Sequence, residues 1–286
     1  MTFFLSKHHG LGNDFLVHLT HDAEAAADRN AWAARGRDWC RRSRGVGADG
    51  LIVGLRGQPG TDLVMTLVNA DGSIAEMSGN GIRCLAQAES IRRGTSEAEL
   101  VIQTDGGLRL VSLRPDPGGD ASLAVASVDM GPVGPGPRPD GHPSIPDQEI
   151  ERMGVSRLAL DPVKAATFDV GNPHLVLLVE DPEAVDVAVA GRYHEGVYSN
   201  GINVHFVAQT RNEADAITMR VWERGAGLTE ACGTGAVAVA RAAHDWGLVG
   251  ERVTVHMSGG DVEVDVGDTM TLHGTTTFIA DVEIWS

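Results

Sequence analysis

Two short strings of this sequence place a small side chain that can carry a proton directly before a Gly-x-Gly run. Ser78 precedes Gly79–Gly81, and Cys232 precedes Gly233–Gly235. An apolar, alanine-rich stretch follows each string and predicts a buried helix. The oxygen or sulfur then lies at a helix N-terminus, where unpaired N–H groups favour negative charge, so we expect the Cys232 thiol to be more acidic than a free thiol. Two such groups on opposite faces of one carbon could invert it.

The two strings belong to a longer internal duplication. A Gly-Asn pair followed by an apolar run occurs at Asn13 and again at Asn172. Asn13 precedes Ser78 by 65 residues, and Asn172 precedes Cys232 by 60. Landmarks repeated in order at similar spacing indicate two related halves.

Composition limits the classes of partner. The 286-residue chain has a net charge of −16, from 39 acidic and 23 basic residues, so we expect no nucleic-acid partner. No apolar run is long enough for a membrane helix and no signal peptide is recognised, so we expect no membrane partner. Three widely spaced cysteines suggest a reducing cytoplasm without structural disulfides or a metal site. A small molecule is the expected partner, and a homodimer is one oligomeric state that the sequence allows.

The order of predicted elements gives the fold class. Short turns join most strands, which predicts mostly antiparallel sheets, and each half has one apolar helix. We therefore expect an α+β fold of two pseudo-symmetric halves, each a curled sheet around a central helix. The Pro- and Gly-rich segments at 115–120 and 131–146 predict a hairpin loop and a surface excursion, respectively. The main predicted helices are Ala23–Arg42, a helix from Ser78 to about Arg93, Pro182–Tyr193 and a helix after Cys232.

These strings together resemble the diaminopimelate epimerase family nearly from end to end. The matching motifs are Gly12-Asn13-Asp14-Phe15, Gly45-Val46-Gly47-Ala48-Asp49-Gly50, Asn69-Ala70-Asp71-Gly72-Ser73, Ser78-Gly79-Asn80-Gly81-Ile82-Arg83, Gly171-Asn172-Pro173-His174, Gly201-Ile202-Asn203-Val204, Glu223-Arg224-Gly225-Ala226-Gly227 and Ala231-Cys232-Gly233-Thr234-Gly235. The resemblance implies two α/β halves with an active site between them. It also implies that the last residues return to the first half, which gives domains of 1–122 plus 274–286 and 123–273.

The resemblance implies a cofactor-independent and metal-free epimerase that interconverts LL- and meso-diaminopimelate in lysine and peptidoglycan biosynthesis. Two cysteines serve such enzymes, one removing the α-proton and the other returning a proton to the opposite face. Cys232 matches the second of them. His174 and Glu223 are candidates to tune the acid and base pKa values.

The resemblance also implies a set of substrate-binding residues. Asparagines, a glutamate and an arginine would contact the amino and carboxylate groups, and backbone N–H groups at the two helix N-termini would bind the α-carboxylate. Arg83 is expected to have a structural role in bridging the halves. The implied binding residues are Asn13, Asn69, Gly79, Asn80, Asn172, Asn203, Glu223, Arg224, Gly233 and Thr234.

Position 78 departs from the family pattern, because a serine replaces the first catalytic cysteine. A hydroxyl is a poor unaided base at neutral pH, and three accounts are open. A neighbour such as His174 could activate Ser78, Ser78 could relay protons through water while Cys232 is the only true base, or the serine could be an engineered replacement. Cys84 and Cys40 lack the Gly-x-Gly context and are expected in the core.

Other functions compete with this interpretation. A racemase or epimerase of another amino acid would use the same framework and differ in the pocket for the distal end of the substrate. A lyase or dehydratase-type relative using one thiol, or a binding protein without catalysis, is also consistent with a serine at position 78.

Overall fold

The computed structural model describes residues 2–140 and 161–285, and the chain divides into two compact units. Unit one comprises residues 1–129 and 273–286, and unit two comprises residues 130–272. The domain boundaries inferred from the sequence, 1–122 plus 274–286 and 123–273, stay a prediction. Of the expected surface excursion at 131–146, residues 141–146 lie outside the described residues.

Unit one sets a long helix against a mixed sheet. Its first strand pairs antiparallel with the last strand of the chain, which returns to this unit. The elements are β1 (Thr2–Gly10), β2 (Asn13–Thr20), α1 (Ala23–Ala27), α2 (Arg29–Trp39), β3 (Gly50–Arg56), β4 (Leu63–Asn69), β5 (Ile74–Ala75), α3 (Gly79–Arg93), β6 (Ala98–Thr104), β7 (Gly107–Pro115), β8 (Leu123–Gly131) and β17 (Met270–Trp285).

Unit two has the same plan. A buried helix again lies against a mixed sheet whose strands follow in the same order. The elements are β9 (Gly134–Pro135), β10 (Lys164–Asp169), β11 (Pro173–Leu178), a 3-10 helix (Pro182–Ala184), α4 (Val187–Glu195), β12 (Asn203–Gln209), β13 (Ala216–Glu223), β14 (Gly227–Thr229), α5 (Gly233–Asp245), β15 (Arg252–Met257) and β16 (Gly260–Asp265).

The strand pairing shows that the duplication extends to the whole topology. Pairs β1·β2, β3·β4 and β6·β7 are antiparallel, whereas β2·β3 and β4·β6 are parallel. In unit two, β10·β11, β12·β13 and β15·β16 are antiparallel, whereas β11·β12 and β13·β15 are parallel. Each parallel pair is connected by a helical crossover, as parallel strands require. The α+β class is confirmed, and most pairs are antiparallel as expected.

The central helix of each unit is almost completely buried. Every residue from Gly79 to Ser90 is buried in α3, which packs against β1, β2, β3, β4, β6 and β7. In α5 the buried stretch runs from Gly233 to Ala240, and the helix packs against β10, β11, β12, β13, β15 and β16. The buried stretch of α5 consists mostly of glycine, alanine and valine, which lets its surrounding strands approach closely. Each helix N-terminus is thus held against the sheet of its own unit.

Helix boundaries follow capping chemistry. The predicted end of α3 is confirmed, because Gly94 closes the helix with a φ of 69°. The predicted helix Ala23–Arg42 is divided at Asp28, which caps the second of two shorter helices. The predicted helix Pro182–Tyr193 is likewise divided, since Asp186 caps a new helix after a 3-10 turn. No helix in residues 2–140 and 161–285 is long and apolar enough to cross a membrane.

Candidate active site

Ser78 is the N-cap residue of α3, as the sequence predicts. Its backbone is extended, with φ −139° and ψ 125°, and its Oγ accepts a hydrogen bond of 3.1 Å from the N–H of Gly81. The first-turn N–H groups of Gly79 and Asn80 have no acceptor within the helix, as at every α-helix N-terminus. The hydroxyl is half-buried. This end of α3 can therefore bind an anion and hold a hydroxyl beside it.

Two of the expected substrate asparagines in unit one are joined to each other. The Nδ2 of Asn80 donates to the Oδ1 of Asn13 at 3.3 Å, and the Nδ2 of Asn13 donates to Asp49 at 2.9 Å. Asp49 also accepts from the N–H of Asp14 and from Arg42. A charged network thus fixes the direction of the Asn13 amide. Asp49 lies in the glycine loop, and the sequence reasoning gave it no role.

Asn69 lies at the end of β4, opposite Gly50 of β3. Its Nδ2 donates to the Oγ of Ser73 at 3.0 Å across the turn that follows the strand. The backbone N–H of Ala70, its neighbour, donates to the carbonyl of Asp49. Asn69 is therefore placed beside the loop that holds Asn13.

Arg83 is completely buried and ties α3 to the returning strand β17. Its guanidinium donates to the carbonyls of Gly79 and Thr275 and to the Oδ1 of Asn80. All three acceptors belong to unit one. None of these hydrogen bonds joins the two halves, so the expectation that Arg83 bridges them is wrong. The chain returns to unit one before Thr275, and Arg83 joins the cap region to that returning segment.

Cys232 is the N-cap residue of α5, in the same geometry as Ser78. Its φ is −135° and its ψ is 109°, and its Sγ accepts a hydrogen bond of 3.4 Å from the N–H of Gly235. The Oγ1 of Thr234 lies 3.6 Å from the same sulfur. Gly233 and Thr234 supply the first-turn N–H groups here. The prediction of two matching caps is confirmed.

The ionisation of Cys232 differs from the expectation. Burial raises the pKa of the thiol well above its usual value, and the negative charge of Glu223 raises it further. Hydrogen bonds from Thr234 and the Gly235 N–H lower the pKa but do not compensate. The prediction of an acidic thiol is therefore wrong for the substrate-free protein, because desolvation outweighs the helix N-terminus.

Glu223 and Arg224 lie where β13 ends in a tight turn. Gly225 and Gly227 adopt φ values of 78° and 85°, which bend the backbone there. The carboxylate of Glu223 accepts a 2.6 Å hydrogen bond from Thr229 on the returning strand β14. The turn thus positions a carboxylate close enough to the Cys232 sulfur to influence its ionisation.

Asn203 connects this turn to β11. Its Oδ1 accepts from the backbone N–H of Arg224 at 3.0 Å, and its Nδ2 donates to the carbonyl of Pro173 at 2.9 Å. The Asn203 oxygen and one hydrogen of its amide are therefore used within unit two, and the amide has a second hydrogen to donate. The guanidinium of Arg224 is exposed, with a long contact of 3.5 Å to the carbonyl of Asn200.

His174 is completely buried and bonded through both ring nitrogens. Its Nε2 lies 2.8 Å from the Oδ1 of Asn172, and its Nδ1 lies 2.8 Å from the Nε2 of His205. Burial lowers the pKa of His174 well below its usual value, with further effects from His205 and Arg224, so the ring is neutral. The sequence reasoning missed His205. A lone histidine within the apolar run of β12 was the available signal.

The described part of the chain holds no group of three or more His, Cys, Asp or Glu side chains arranged to bind a metal ion. The three cysteines are all free and buried. The chemistry available at the two caps is therefore that of a thiol, a hydroxyl, first-turn N–H groups and nearby carboxylate, amide and imidazole side chains.

The sequence is similar to diaminopimelate epimerases. The diaminopimelate epimerase family model matches residues 5–134 and 166–277. The chain is 37% identical to the diaminopimelate epimerase of Synechococcus elongatus, over 93% of this chain and 91% of the relative. It is also 37% identical to that of Desulfitobacterium hafniense, over 92% and 90% of the two chains.

Solved structures with low sequence identity share the fold. A predicted epimerase from Pseudomonas aeruginosa gives a TM-score of 0.72 at 17% identity, covering 99% of both chains. A hydroxyproline epimerase from Agrobacterium vitis, solved with bound trans-4-hydroxy-L-proline, gives 0.68 at 14% identity, covering 99% of this chain and 92% of that one.

Proposed function

The chain belongs to the diaminopimelate epimerase family, an isomerase family, and we propose how its own residues interconvert LL- and meso-diaminopimelate. Cys232 exchanges a proton with one face of the α-carbon, and the Ser78 cap delivers a proton to the other face. One observation carries the proposal: two N-caps with the same sequence pattern and nearly the same backbone angles each hold a proton-carrying side chain. Inversion without a cofactor needs one such group on each face.

The helix N-termini stabilise the reacting substrate. Removing an α-proton places negative charge on the adjacent carboxylate, and preorganised donors lower the energy of that state. We assign this role to the first-turn N–H groups of Gly79 and Asn80 in α3 and of Gly233 and Thr234 in α5. These groups are fixed by buried helices, so they need little reorganisation during the reaction.

Substrate binding converts the Cys232 thiol into a base. In the free protein, burial and the charge of Glu223 keep the thiol protonated. The ammonium group of the substrate, placed against Glu223, neutralises that charge, so the thiol releases its proton to water and becomes a thiolate. The thiolate then removes the α-proton, forming the S–H bond as the C–H bond breaks. The electron pair left on carbon is delocalised into the carboxylate.

The other binding residues recognise the polar groups of the substrate. We propose that the side chains of four asparagines hydrogen-bond to the amino and carboxylate groups of the substrate: Asn13, Asn69, Asn172 and Asn203. Arg224 binds a substrate carboxylate through its guanidinium. The exposed guanidinium of Arg224 supports that role, since its donors are available to a ligand.

Ser78 acts as a relay and not as a base. Both ring nitrogens of His174 are occupied by Asn172 and His205, so this histidine has no nitrogen to activate the hydroxyl. We therefore propose that Ser78 gives its hydroxyl proton to the carbanion while it takes a proton from a water molecule, which becomes hydroxide. In the reverse direction, hydroxide takes the proton of Ser78 while Ser78 takes the α-proton. Proton transfer on this face is then slower than at Cys232.

A cytoplasmic location and a small-molecule substrate belong to the same proposal. The location is supported by three cysteines that remain free thiols.

Solvent exchange tests the proposal directly. The purified protein is incubated in deuterated water with LL- or meso-diaminopimelate, and the products are followed by chiral chromatography and by loss of the α-proton signal. We expect interconversion, with α-proton exchange clearly faster from one isomer than from the other. Equal, fast exchange from both isomers would refute the relay role, and a product with an altered carbon skeleton would indicate a lyase.

Ser78→Cys is the matching variant. A thiol on the slow face restores a second base, so we expect kcat to rise by about 100-fold, the lower end of the range for general acid–base catalysis. The difference in exchange between the isomers should shrink at the same time. An unchanged kcat would show that proton transfer at the Ser78 face does not limit the rate.

A further inference from the structure

A pair of stacked imidazoles lies behind the Cys232 cap. The rings of His174 and His205 are 29° from parallel, with centroids 5.1 Å apart, and both side chains are fully buried. We call these two residues the imidazole pair. Burial keeps both rings neutral, since it lowers the pKa of His205 to about 3 and that of His174 well below its usual value.

The hydrogen bonds of the imidazole pair fix where its protons lie. The Nδ1 of His205 is buried and has no hydrogen-bond partner among the described residues. A buried N–H without an acceptor is costly, so this nitrogen carries the lone pair and His205 carries its proton on Nε2. His205 then donates to the Nδ1 of His174, which leaves the His174 proton on Nε2. That proton is donated to the Oδ1 of Asn172.

This chain of bonds determines which end of the Asn172 amide is available. The oxygen is occupied by His174, so the Nδ2 group is the free end, and none of the described residues accepts from it. Asn172 is half-buried and therefore open to a ligand. If the protons of the imidazole pair were reversed, Asn172 would donate to His174 and present its oxygen instead.

His205 also contacts the backbone of α5. A Cβ placed on Gly235 would overlap Cε1 of His205 and would lie 2.9 Å from its Nε2. Gly235 is the residue whose N–H donates to the Cys232 sulfur. One imidazole ring therefore lies against the cap and, through His174, orients Asn172.

Unit one has no histidines at the two positions equivalent to the imidazole pair, so the shared fold does not require them there. Phe15 pairs with Gly50 and Val17 with Ile52, as His174 pairs with Asn203 and Val176 with His205. Phe15 and Ile52 thus occupy the places of the imidazole pair. A Cβ on Gly81 of unit one would lie 3.1 Å from Cδ1 of Ile52, the same neighbour relation as Gly235 with His205.

We propose that His205 is a positioning residue that acts through His174 to hold the Asn172 amide with its NH2 group directed to a substrate carboxylate. This inference rests on the proposed function, in which Asn172 binds substrate. The apolar equivalents in unit one support it, since packing alone is satisfied there without imidazoles.

Nuclear magnetic resonance tests the proton positions without any turnover. Long-range 1H–15N correlations of the full-length protein at neutral pH distinguish histidines protonated on Nδ1 from those protonated on Nε2. We expect His174 and His205 both to carry the proton on Nε2. A His174 signal showing the proton on Nδ1 would overturn the inference in the unmodified protein, so the result does not depend on any variant folding.

Kinetics of three variants test the consequence for binding. His205→Leu removes the donor at similar volume, and His205→Gln keeps an N–H near the position of Nε2. We expect His205→Leu to raise KM for LL-diaminopimelate about tenfold with kcat within threefold, and His205→Gln to stay within threefold for both. Phe206→Leu, in the apolar core on the same strand, is the packing control and should leave KM unchanged.

The outcomes separate this inference from the proposed function. If His205→Leu leaves KM unchanged, or if His205→Gln is impaired as strongly as His205→Leu, the positioning role is refuted while wild-type turnover persists. If the proposed function is wrong, no variant and no wild-type protein epimerises diaminopimelate, whatever proton positions the spectra show.

Discussion

The Cys232 thiol is subject to two opposing influences. The helix N-terminus and two hydrogen bonds favour the thiolate, while burial and Glu223 favour the thiol, and the second pair prevails in the free protein. A protonated resting state is chemically useful, because a buried thiol is protected from alkylation and oxidation until a cationic substrate arrives.

Glu223→Gln tests this balance at a single residue. Removing the negative charge lowers the pKa of Cys232, so we expect iodoacetamide to label Cys232 several-fold faster at pH 8 than in the wild type. Epimerisation should slow, since the substrate ammonium loses its counter-charge. Mass spectrometry after digestion identifies the labelled cysteine.

Glu230→Gln is the matched control for this experiment. Glu230 is exposed and is not among the groups that shift the pKa of Cys232. Its variant should label at the wild-type rate. If Glu223→Gln also labels at that rate, the carboxylate does not set the ionisation of the thiol.

The first turn of each central helix contains a glycine with a different neighbour. Gly235 of α5 lies against the ring of His205, whereas Gly81 of α3 lies against the flexible end of Ile52 at a Cβ distance of 3.1 Å. A side chain at position 235 must displace a ring that is hydrogen-bonded and fully buried. At position 81 the tip of Ile52 and the Cβ of Ser78, at 3.1 and 3.2 Å, have only to move slightly.

We expect Gly235→Ala and Gly81→Ala to have different effects on stability. Gly235→Ala should lower the free energy of unfolding by about 1–3 kcal/mol, as overpacking does. Gly81→Ala should change it by less than about 1 kcal/mol, because the gain in helix propensity offsets the tight contact. Urea unfolding of both variants measures the difference. Equal losses would show that the imidazole ring moves aside freely.

The sequence predicted the helices and their caps better than it predicted which strands pair. The extent of α3 and the caps at Ser78 and Cys232 follow from local chemistry, and both are confirmed. Parallel pairing between β4 and β6 involves residues far apart in the chain, which local patterns do not encode. His205 was missed for the same reason: its partner His174 is 31 residues away, and only the parallel register of β11 and β12 brings them together.

At the scale of the whole molecule, the two units have diverged on one shared plan. The order of antiparallel and parallel pairs is the same in both, and each central helix packs against the equivalent strands. The units differ around the caps, where Phe15, Ile52 and Ser78 of unit one correspond to His174, His205 and Cys232 of unit two.

Each unit also buries at least one neutral histidine, and this makes the protein sensitive to mild acid. Burial lowers the pKa of His8 in unit one to about 4 and that of His205 in unit two to about 3. The unfolded chain binds protons at these residues near the usual histidine pKa of 6.5, so their contribution to stability is complete above pH 6.5. It is lost as the pH falls toward each folded-state value.

The expected loss between pH 7 and pH 5 is about 2 kcal/mol for each of these histidines, since one pKa unit corresponds to about 1.4 kcal/mol. Urea unfolding at both pH values measures it. His8→Gln and His205→Gln should each remove about 2 kcal/mol of the pH-dependent change, whereas His21→Gln, at an exposed histidine, should retain it in full. If the units unfold in separate transitions, each buried-site variant should flatten the pH dependence of its own unit alone. The same change in all three variants and the wild type would mean that these imidazoles do not stay neutral in the folded protein.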